Sequence, residues 1–436
     1  MSDDYSDVFQ DCWWGAVATL TRMFGDLGAA EDAVQEACAL AVEKWPATGV
    51  PANPRAWLTG TARHKALDRL RREAGRAEKE AAAMRELSRP EDAGDDDELA
   101  LASAELAWAS GHGADDELAL VSADDELALV SADDELALVF MCCHPALDPA
   151  VRVALTLRCV CGLATPEIAA AFVAPEATIA QRLVRAKRKI KQAGIAFSVP
   201  ARDDLPGRLG VVLRVIYLVF TAGHRAAHGS VLVRGDLCDQ AIRLARGLTV
   251  LLPDEPEVTG LLALLLLTDA RRAARVDPAG DLVLLADQDR GKWDHAKIRE
   301  GEALLQRALL AGRPGAYQLH AAIAACHSCD ETTDWHEVAA LYGQLVRYEP
   351  TAVVQANRAV AVAMADGPAA GLAILESDEL STRLANWPQF HIARGELLRR
   401  LGRDADSADA YRTALRLEPP GPEQAFIQRQ IKDLGG

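Results

Sequence analysis

Residues able to read nucleic acid fall on one side of a basic segment that spans residues 175–192. Arginine can pair bidentately with guanine and glutamine with adenine, while further lysines and arginines neutralise phosphates. If the segment is a helix, its polar side holds Thr178, Gln181, Arg182, Arg185, Arg188 and Lys189. The opposite side holds Ile179, Leu183, Ala186 and Ile190. We therefore expect an amphipathic helix that docks through its apolar face and offers its polar face to the major groove of DNA.

A second basic segment spans residues 55–72 and carries six lysines and arginines against the single acid Asp68. On a helix from Pro54 to about residue 73, one stripe holds Lys65, Arg69 and Arg72. Two cationic helices far apart in the chain indicate two separate contacts with a polyanion. The alternative for both segments is an ordinary solvated helix face.

Groups that could support catalysis or bind metal are present but poorly spaced. One cluster holds Cys142, Cys143, His144, Cys159 and Cys161, and a second holds Cys326, His327, Cys329 and His336. Neither has the paired-cysteine spacing of a zinc site. His224 and His228 lack the acid of a HExxH motif, and the sequence shows no phosphate loop, nucleophile elbow or triad. We expect no metal, no cofactor and no catalytic residue, and predict that the chain is not an enzyme.

The helix that would read DNA is predicted to follow a short one, as in a helix-turn-helix. Thr165, Pro166 and Glu167 are typical of a helix start, with Thr as the cap and Pro at the first helical position. That helix should run to about residue 172, after a longer helix over residues 148–161 that Gly162 ends.

The first 75 residues predict a small bundle of three helices. A run over residues 8–24 ends at Gly25, and a second helix buries Val34, Cys38, Ala41 and Trp45. Pro46 is expected to end that second helix. Its opposite face carries Asp32, Gln35, Glu36 and Glu43. The bundle thus has one acidic and one basic face, with a Gly- and Pro-containing loop over residues 49–54 between them.

The net charge of −17 is concentrated in one segment. Residues 91–135 hold sixteen acids, and no Lys or Arg occurs between residues 90 and 151. The nine-residue unit ADDELALVS occurs at 114–122 and 123–131, and ADDELALVF follows at 132–140. Nine residues make 2.5 helical turns, so successive copies would face opposite sides. We expect weak helix or disorder over about 91–131, with the last copy opening the next folded helix.

Composition limits the class of protein. The 436 residues are 50% apolar and 5% aromatic, which is typical of a helical globular chain of about three domains. Nine cysteines without scaffold spacing predict reduced thiols. The polar, acidic N-terminus is unlike a secretory signal, and the longest apolar run, 258–267, is shorter than a membrane helix. We expect a cytoplasmic protein that does not associate with a membrane.

The C-terminal half predicts helices throughout. A linker over residues 200–206 precedes apolar helices over 209–220, 237–251 and 258–275. Helical hairpins follow beyond residue 312. The last hairpin has the small, large, turn, aromatic, small and stop residues of a tetratricopeptide unit, in that order, at Gly395, Leu398, Gly402, Tyr411, Ala414 and Pro419. We interpret this half as an α-solenoid whose concave face binds a protein partner or docks on the preceding modules, with a ligand-free spacer as the alternative.

Together these segments resemble a bacterial sigma factor of the extracytoplasmic-function (ECF) class. LGAAEDAVQEA at 27–37 resembles the family's core-binding helix of region 2, and NPRAWLTGTARHKALDRLRR at 53–72 resembles its −10 helix. Residues 155–190 resemble region 4. The CCHPAL, VIYLVF and LPDEPEV motifs in this sequence resemble the ECF42 subgroup, whose C-terminal extension is helical and tetratricopeptide-like.

The resemblance implies core RNA polymerase and promoter DNA as partners. It assigns core binding to Asp32, Gln35 and Glu36, and the −10 element to Asn53, Arg63, Lys65, Arg69 and Arg72. The helix at 175–192 would read the −35 element through Thr178, Gln181, Arg182, Arg185, Arg188 and Lys189. The acidic segment would follow the RNA-exit path of the polymerase, where its acids replace RNA phosphates.

The sequence therefore predicts an all-α chain with two sigma modules, an acidic linker and a C-terminal α-solenoid. The predicted segments are 1–75 (region 2), 76–131 (linker), 132–196 (region 4), 197–311 (helical extension) and 312–436 (tetratricopeptide-like hairpins). The predicted function is that of an alternative sigma factor regulated by its extension. A conventional helix-turn-helix regulator with a tetratricopeptide sensor is the alternative, although it leaves the first 75 residues unexplained.

Overall fold

The protein is described by a computed structural model that covers residues 5–87, 132–172, 174–201, 204–224, 234–277, 283–328, 332–419 and 421–435. Within these ranges the chain forms nineteen α-helices and three short 3₁₀ helices, and none of the described residues is in a β-strand. The predicted all-α fold is confirmed. The predicted conformation of the acidic repeat over 91–131 lies outside the described residues.

The chain divides into two compact units. The first comprises residues 1–165 and 179–205, and the second comprises residues 166–178 and 206–436. The first unit contains the helices α1 Ser6–Phe24, α2 Leu27–Thr48, α3 Pro54–Leu87, α4 Ala132–Cys142, α5 Pro149–Cys159 and most of α7 Glu176–Gln192. The second unit contains α6 Thr165–Ala171 apart from its first residue, the first residues of α7, and the chain from residue 206 onwards.

Helices α1, α2 and α3 pack on one another as the predicted bundle. Gly25 ends α1 in the left-handed conformation at φ 67°, which a glycine adopts without steric cost. Asp26 caps α2 by accepting hydrogen bonds from the amides of Gly28 and Ala29. The predicted end of α2 at Pro46 is wrong, because the helix continues to Thr48. A proline in the last turn removes only one backbone hydrogen bond, and the solvent-facing chain tolerates that loss.

Helix α3 is longer than the sequence pattern predicted. Its N-terminus is capped by Asn53, whose side-chain oxygen accepts a hydrogen bond from the Ala56 amide at 3.1 Å. The helix runs to Leu87 instead of ending near residue 73. The added stretch is dominated by Ala, Glu, Lys and Arg, which are strong helix formers but give no apolar stripe to detect.

The last repeat copy opens a folded helix, as predicted. Helix α4 packs against α1 and α5, and its residues from Asp134 to Cys142 are buried on all sides. After α5, Gly162 turns the chain at φ 69°. A Cβ at this position would lie 3.1 Å from Cγ of Trp13, so the turn approaches α1 closely. Glycine is therefore needed here for both conformation and space.

Helices α6 and α7 follow one another in the order expected of a helix-turn-helix. Helix α6 begins at Thr165 itself, so Thr165 is the first helical residue and not the predicted cap. Helix α7 begins at Glu176 and ends at Gln192. Between them the amide of Ala174 bonds to the carbonyl of Ala169 at 3.0 Å.

The second unit continues with apolar helices that pack in sequence. They are α8 Leu205–His224, α9 Gly235–Leu251, α10 Pro256–Asp269 and α11 His295–Leu310. Helix α10 is buried along almost its whole length and packs on α9, α11 and α12. It ends at Asp269 rather than at residue 275, and a 3₁₀ turn over 272–274 follows.

The remaining helices pack mainly on their neighbours in the chain. They are α12 Ala316–Cys326, α13 Trp335–Tyr348, α14 Ala352–Asp366, α15 Pro368–Leu375, α16 Asp378–Arg383, α17 Pro388–Arg400, α18 Asp404–Arg416 and α19 Gly421–Asp433. Gly395 faces the fully buried ring of Tyr411, where an added Cβ would lie 3.1 Å from Cε1. Two residues of the predicted motif, one small and one aromatic, are therefore in close contact. The tetratricopeptide assignment stays a prediction.

One helix among the described residues, α8, is long and apolar enough to cross a membrane by length and composition. Its window Gly207–His224 has a mean hydropathy of 1.2, and 39% of it is buried inside the protein. A core helix of a globular protein meets the same criterion, so this single helix is weak support for a membrane span.

Candidate nucleic-acid interface

Helix α7 has the two faces that the sequence predicted. Ile179, Leu183, Ala186 and Ile190 are all buried, with at most 4% of any of them exposed. Since these four residues repeat at i, i+4, i+7 and i+11, they fix the rotation of the helix about its axis. Its opposite side therefore faces solvent.

The outer face of α7 carries the predicted DNA-reading residues. Gln181, Arg185, Arg188 and Lys189 are exposed, while Thr178 and Arg182 are half-buried. The Arg185 guanidinium donates a hydrogen bond to Oε1 of Gln181 at 3.2 Å, one turn away. This bond holds the two side chains best suited to base pairs side by side.

A cavity of about 540 Å³ opens beside this face. One wall is formed by Arg182, Arg185 and Lys189 of α7, and the other by residues 147–151 at the start of α5. The N-terminus of a helix carries unpaired amides and a partial positive charge, which favour phosphate. The wall of Arg182, Arg185 and Lys189 suits phosphate, whereas the facing wall carries the carboxylate of Asp148 and starts its helix with Pro149, which has no amide hydrogen.

Two lysines of α7 point elsewhere. Lys187 lies 2.5 Å from Oε2 of Glu31, and Lys191 lies 2.7 Å from Oδ2 of Asp26, both acids near the start of α2. The basic residues of the segment thus divide between a set on the outer face and two lysines paired with acids of α2, of which Lys187 is half-buried and Lys191 is exposed. The spacing of these residues in the sequence does not distinguish the two sets.

The candidate residues for the −10 element are less free than the sequence suggested. Arg69 is paired with Asp32 at 3.1 Å, and Arg72 donates to the carbonyl of Asp68 at 3.1 Å. The side-chain oxygen of Asn53 is used as the helix cap. The Nε atom of Arg63 is buried with no hydrogen-bond partner among the described residues, and Lys65 is half-buried.

The candidate core-binding residues lie on the outer side of α2. Glu36 and Gln35 are exposed, and Asp32 is half-buried against Arg69. The Gln35 amide donates to Oε1 of Glu31 at 3.1 Å. These three residues are adjacent on one helix face, as predicted, although Asp32 already has a cationic partner.

Sequence analysis missed two charged residues of this unit. Glu31 is 2% exposed and is bonded to Nε of Arg158 at 2.5 Å. Arg158 lies over the ring of Trp13 with 5.0 Å between the guanidinium carbon and the ring centroid. No local pattern marks either residue, because their partners are more than a hundred positions away in the chain.

The cysteines do not form a metal centre among the described residues. The eight described cysteines are all free thiols. Burial raises the pKa of Cys38 to about 12, with a further rise from Cys12. Burial likewise raises the pKa of Cys143 to about 12. Such thiols stay protonated at neutral pH and are poor nucleophiles and poor metal ligands.

Three stretches of the chain match known protein families. Residues 16–76 match Sigma-70 region 2, and residues 137–190 match Sigma-70, region 4. Residues 208–309 match a family of unknown function, DUF6596. The helices α1–α3 and α4–α7 are thus the two sigma modules, and the third match covers α8–α11 except for the first residues of α8 and the last residue of α11.

The chain is also similar along almost its whole length to a protein of Rhizobium meliloti (strain 1021) named "Uncharacterized protein R00370". The two are 41% identical over 422 residues, which is 96% of this chain and 93% of that protein. The narrower assignment to the ECF42 subgroup stays a prediction. Because regions 2 and 4 are both present, in order and on the expected helices, the chain belongs to the sigma-70 family as an ECF-like RNA polymerase sigma factor with a C-terminal DUF6596 region.

Proposed function

We propose that this alternative sigma factor reads the −35 element of its promoters through the outer face of α7. The single observation that carries the proposal is the exposed set Gln181, Arg185, Arg188 and Lys189 opposite a fully buried apolar stripe. Gln181 and Arg185 suit base edges, and Arg188 and Lys189 suit phosphates. Half-buried Arg182 and Thr178 complete the face.

The −10 element is assigned to α3 and the loop before it. Arg63, Lys65, Arg69 and Arg72 lie along this helix, and Asn53 stands at its start. Arg69 would have to exchange Asp32 for a phosphate when DNA binds. An exposed ion pair of this kind is worth about 1 kcal/mol or less, so a phosphate can replace it readily.

Core RNA polymerase is assigned to the outer side of α2, through Asp32, Gln35 and Glu36. Exposed acids on a rigid, well-packed helix suit a basic partner surface. The polymerase would act in the cytoplasm, and we place this chain there as well. No catalytic residue, metal or cofactor enters the proposal.

Run-off transcription with purified core polymerase tests these assignments. The full chain should direct initiation from its own promoter, and Arg182→Ala with Arg185→Ala should abolish it. Asp32→Ala with Glu36→Ala should abolish it as well, but through loss of core binding in a pulldown. The control is Arg403→Ala, which changes an exposed arginine directly before α18. This variant should direct transcription at the normal level.

A conventional regulator would give a different result. It would bind duplex DNA by itself and would not start transcription without another sigma factor. If the purified chain fails to support initiation and fails to bind core polymerase, the assignment of α2 and α3 is wrong.

The C-terminal extension is proposed to regulate the sigma modules. Its support is a pair of charges: Arg234, at the start of α9, lies 2.7 Å from Oε1 of Glu167 on α6. Arg234 falls in the DUF6596 match and Glu167 in the region 4 match. Burial lowers the pKa of Arg234, but the carboxylates of Asp236 and Glu167 raise it by more. The net effect is a raised pKa, so Arg234 keeps its positive charge. A protein partner on the solenoid is proposed as the source of the signal.

The regulatory role is tested by breaking this pair. Arg234→Met and Glu167→Gln should each change the promoter activity of the full chain in the same direction, because each removes the same bond. Arg243→Met, on the same helix but without this pairing, serves as the control. Unchanged promoter activity in both variants, and in a chain truncated after residue 194, would refute the role.

A further inference from the structure

The arginines that follow α10 differ in what balances their charge. Arg272 pairs with the carboxylate of Asp269 at 2.6 Å. Arg275 donates a hydrogen bond to the carbonyl of His224. Arg271 forms no hydrogen bond or ion pair with any residue that the structure describes, and its Nε atom is buried. Arg271 is thus a cation whose charge no described acid balances.

The pKa of Arg271 shows the effect of burial without an acid. Burial lowers the pKa of its guanidinium to about 10, and no carboxylate offsets that change. At Arg272 burial also lowers the pKa, but Asp239 and Asp269 raise it by more. A buried charge that lacks a partner destabilises the fold. A residue of this kind is therefore expected where a bound group supplies the partner.

A second unpaired nitrogen belongs to His327, which directly follows α12 and lies within reach of the charge of Arg271. Its Nδ1 atom is buried without a hydrogen-bond partner among the described residues. Burial, and then the charge of Arg271, lower the pKa of this histidine to about 4. The ring is therefore neutral at neutral pH, and it can donate one hydrogen bond without adding charge.

The chain around these two residues is fixed by packing. The hydroxyl of Ser328 donates to the carbonyl of Leu267 at 3.4 Å, which joins the end of α12 to α10. The indole of Trp335, at the start of α13, lies against the ring of His327 with 5.3 Å between the centroids. Arg271, His327 and Trp335 are all half-buried, and we call them the Arg271 cluster. The fold holds this cluster on one side, and a small molecule can reach it from solvent on the other.

The charge of the Arg271 cluster determines the kind of ligand. A guanidinium presents a planar pair of donors that matches a carboxylate. The cluster carries one positive charge, because His327 is neutral. A monocarboxylate balances this charge, whereas a phosphate dianion would add a second negative charge that no group in the cluster balances. The indole of Trp335 offers apolar surface beside His327 for the body of the acid.

We propose that the Arg271 cluster binds a small monocarboxylate with an apolar or aromatic body. Arg271 pairs with the carboxylate, His327 donates a hydrogen bond to it, and Trp335 contacts the apolar body. Arg271 lies within the DUF6596 match at 208–309, so the site belongs to the C-terminal extension. The site shares no residue with the surfaces assigned to DNA or core polymerase.

Titration calorimetry and thermal denaturation of the full chain test the site. The probes are sodium benzoate and sodium hexanoate at millimolar concentrations. Benzamide is the uncharged control, and sodium chloride at the same ionic strength is the salt control. Both carboxylates should bind once per chain and raise the Tm as their concentration rises, because they bind only the folded state. Benzamide and chloride should do neither.

Arg271→Met distinguishes a binding role from a structural one. The variant keeps a long apolar side chain and removes the charge. Its affinity for benzoate should fall by on the order of tenfold to a hundredfold, as expected for loss of a charge-assisted hydrogen bond. The Tm of the ligand-free variant should rise, because a buried charge without a partner is removed. Replacement of an arginine that only supports the fold would lower the Tm.

Two further variants complete the comparison. His327→Phe keeps an aromatic ring against Trp335 but cannot donate to the carboxylate, so its affinity for benzoate should fall by a smaller factor. Arg299→Met changes an exposed arginine of α11 and should leave both the affinity and the Tm unchanged. Circular dichroism checks the fold of each variant.

Two results would overturn the proposal. One is the absence of saturable binding of either carboxylate to the parent chain. The other is binding that is equally strong in Arg271→Met and His327→Phe, which would place the carboxylate elsewhere on the chain. Both measurements use the free chain without polymerase or promoter, so their outcome is independent of the proposed function.

Discussion

The indole nitrogen of Trp13 donates a hydrogen bond to the carbonyl oxygen of Arg158, 145 positions later in the chain, at 3.1 Å. The guanidinium of the same arginine lies over the same indole ring. One tryptophan of region 2 thus holds both the backbone and the side chain of one arginine of region 4. This relationship determines how Arg158 can reach the buried Glu31.

Replacing Trp13 with Phe should lower the free energy of unfolding by about 1–2 kcal/mol. The change removes a hydrogen bond worth about 1 kcal/mol and weakens a cation–π contact worth about 0.5–1 kcal/mol. Urea unfolding followed by circular dichroism measures the effect. Trp57→Phe is the control, since Trp57 contacts Trp45 edge-on at 5.5 Å and should lose less. Equal losses in both variants would contradict the role of the Arg158 carbonyl.

Close helix packing in the C-terminal hairpins gives a second prediction. A Cβ added at Gly371 of α15 would overlap the carbonyl oxygen of Ala359 and the Cβ of Ala363 on α14. We expect Gly371→Ala to lower the free energy of unfolding by about 1–3 kcal/mol, because overpacking forces the two helices apart. Thermal denaturation of the full chain measures it.

Gly343 of α13 provides the matched control. An added Cβ there has no atom within 4 Å. Gly343→Ala should raise the free energy of unfolding by about 0.5–1 kcal/mol, because alanine loses less backbone entropy in a helix than glycine. If both substitutions change stability in the same direction, the close approach of α14 and α15 is wrong.

Much of the fold could be predicted from periodicity. The stripe of α7 and the buried face of α2 follow from apolar residues at i, i+4, i+7 and i+11, which only one rotation of a helix can bury. The left-handed turns at Gly25 and Gly162 were also predictable, since glycine adopts positive φ without steric cost. Apolar periodicity and glycine positions therefore predicted these helices, their ends and the face that each one buries.

The rest depended on contacts that no local pattern records. Lys187 and Lys189 are both cations of one basic run, yet Lys187 forms an ion pair with Glu31 and Lys189 is exposed. Helix α2 continues beyond Pro46 because a proline in the last turn costs only one backbone hydrogen bond. Helix α3 continues beyond residue 73 because its residues are strong helix formers, although they form no apolar stripe. Glu31 was missed because an acid looks the same in sequence whether it is solvated or buried between two cations.

Base reading and phosphate binding by α7 can be separated in the polymerase holoenzyme. Gln181→Ala should relax the preference at one position of the −35 element, at a cost of about 1–3 kcal/mol for the preferred base. Lys189→Ala should weaken all promoters similarly and reduce the slope of log affinity against log salt by about 1. Binding to a set of promoter variants at several salt concentrations measures both. The opposite assignment follows if Lys189→Ala changes base preference and Gln181→Ala changes the salt slope.

Acid stability of the C-terminal unit should depend on His327, at the end of α12. Burial lowers the pKa of His327 to about 4, with a further lowering from Arg271. Its ring nitrogen Nδ1 is buried with no hydrogen-bond partner among the described residues, and Trp335 lies against the ring at 5.3 Å between centroids. The folded chain therefore keeps this histidine neutral at neutral pH.

The sign of the pH effect follows from proton binding. Below an unfolded pKa of about 6.5 the unfolded chain binds a proton that the folded chain refuses until about pH 4. Stability is therefore lost as the pH falls through this window, by an amount on the order of 2 kcal/mol after allowing for the partly accessible ring. His327→Gln removes the titrating group, so the difference in unfolding free energy between parent and variant should change across this window and be constant above pH 7.5. The carboxylates are common to both chains, so their effect on stability cancels in this comparison. If the difference in unfolding free energy stays constant from pH 7.5 to pH 4, burial does not hold His327 neutral.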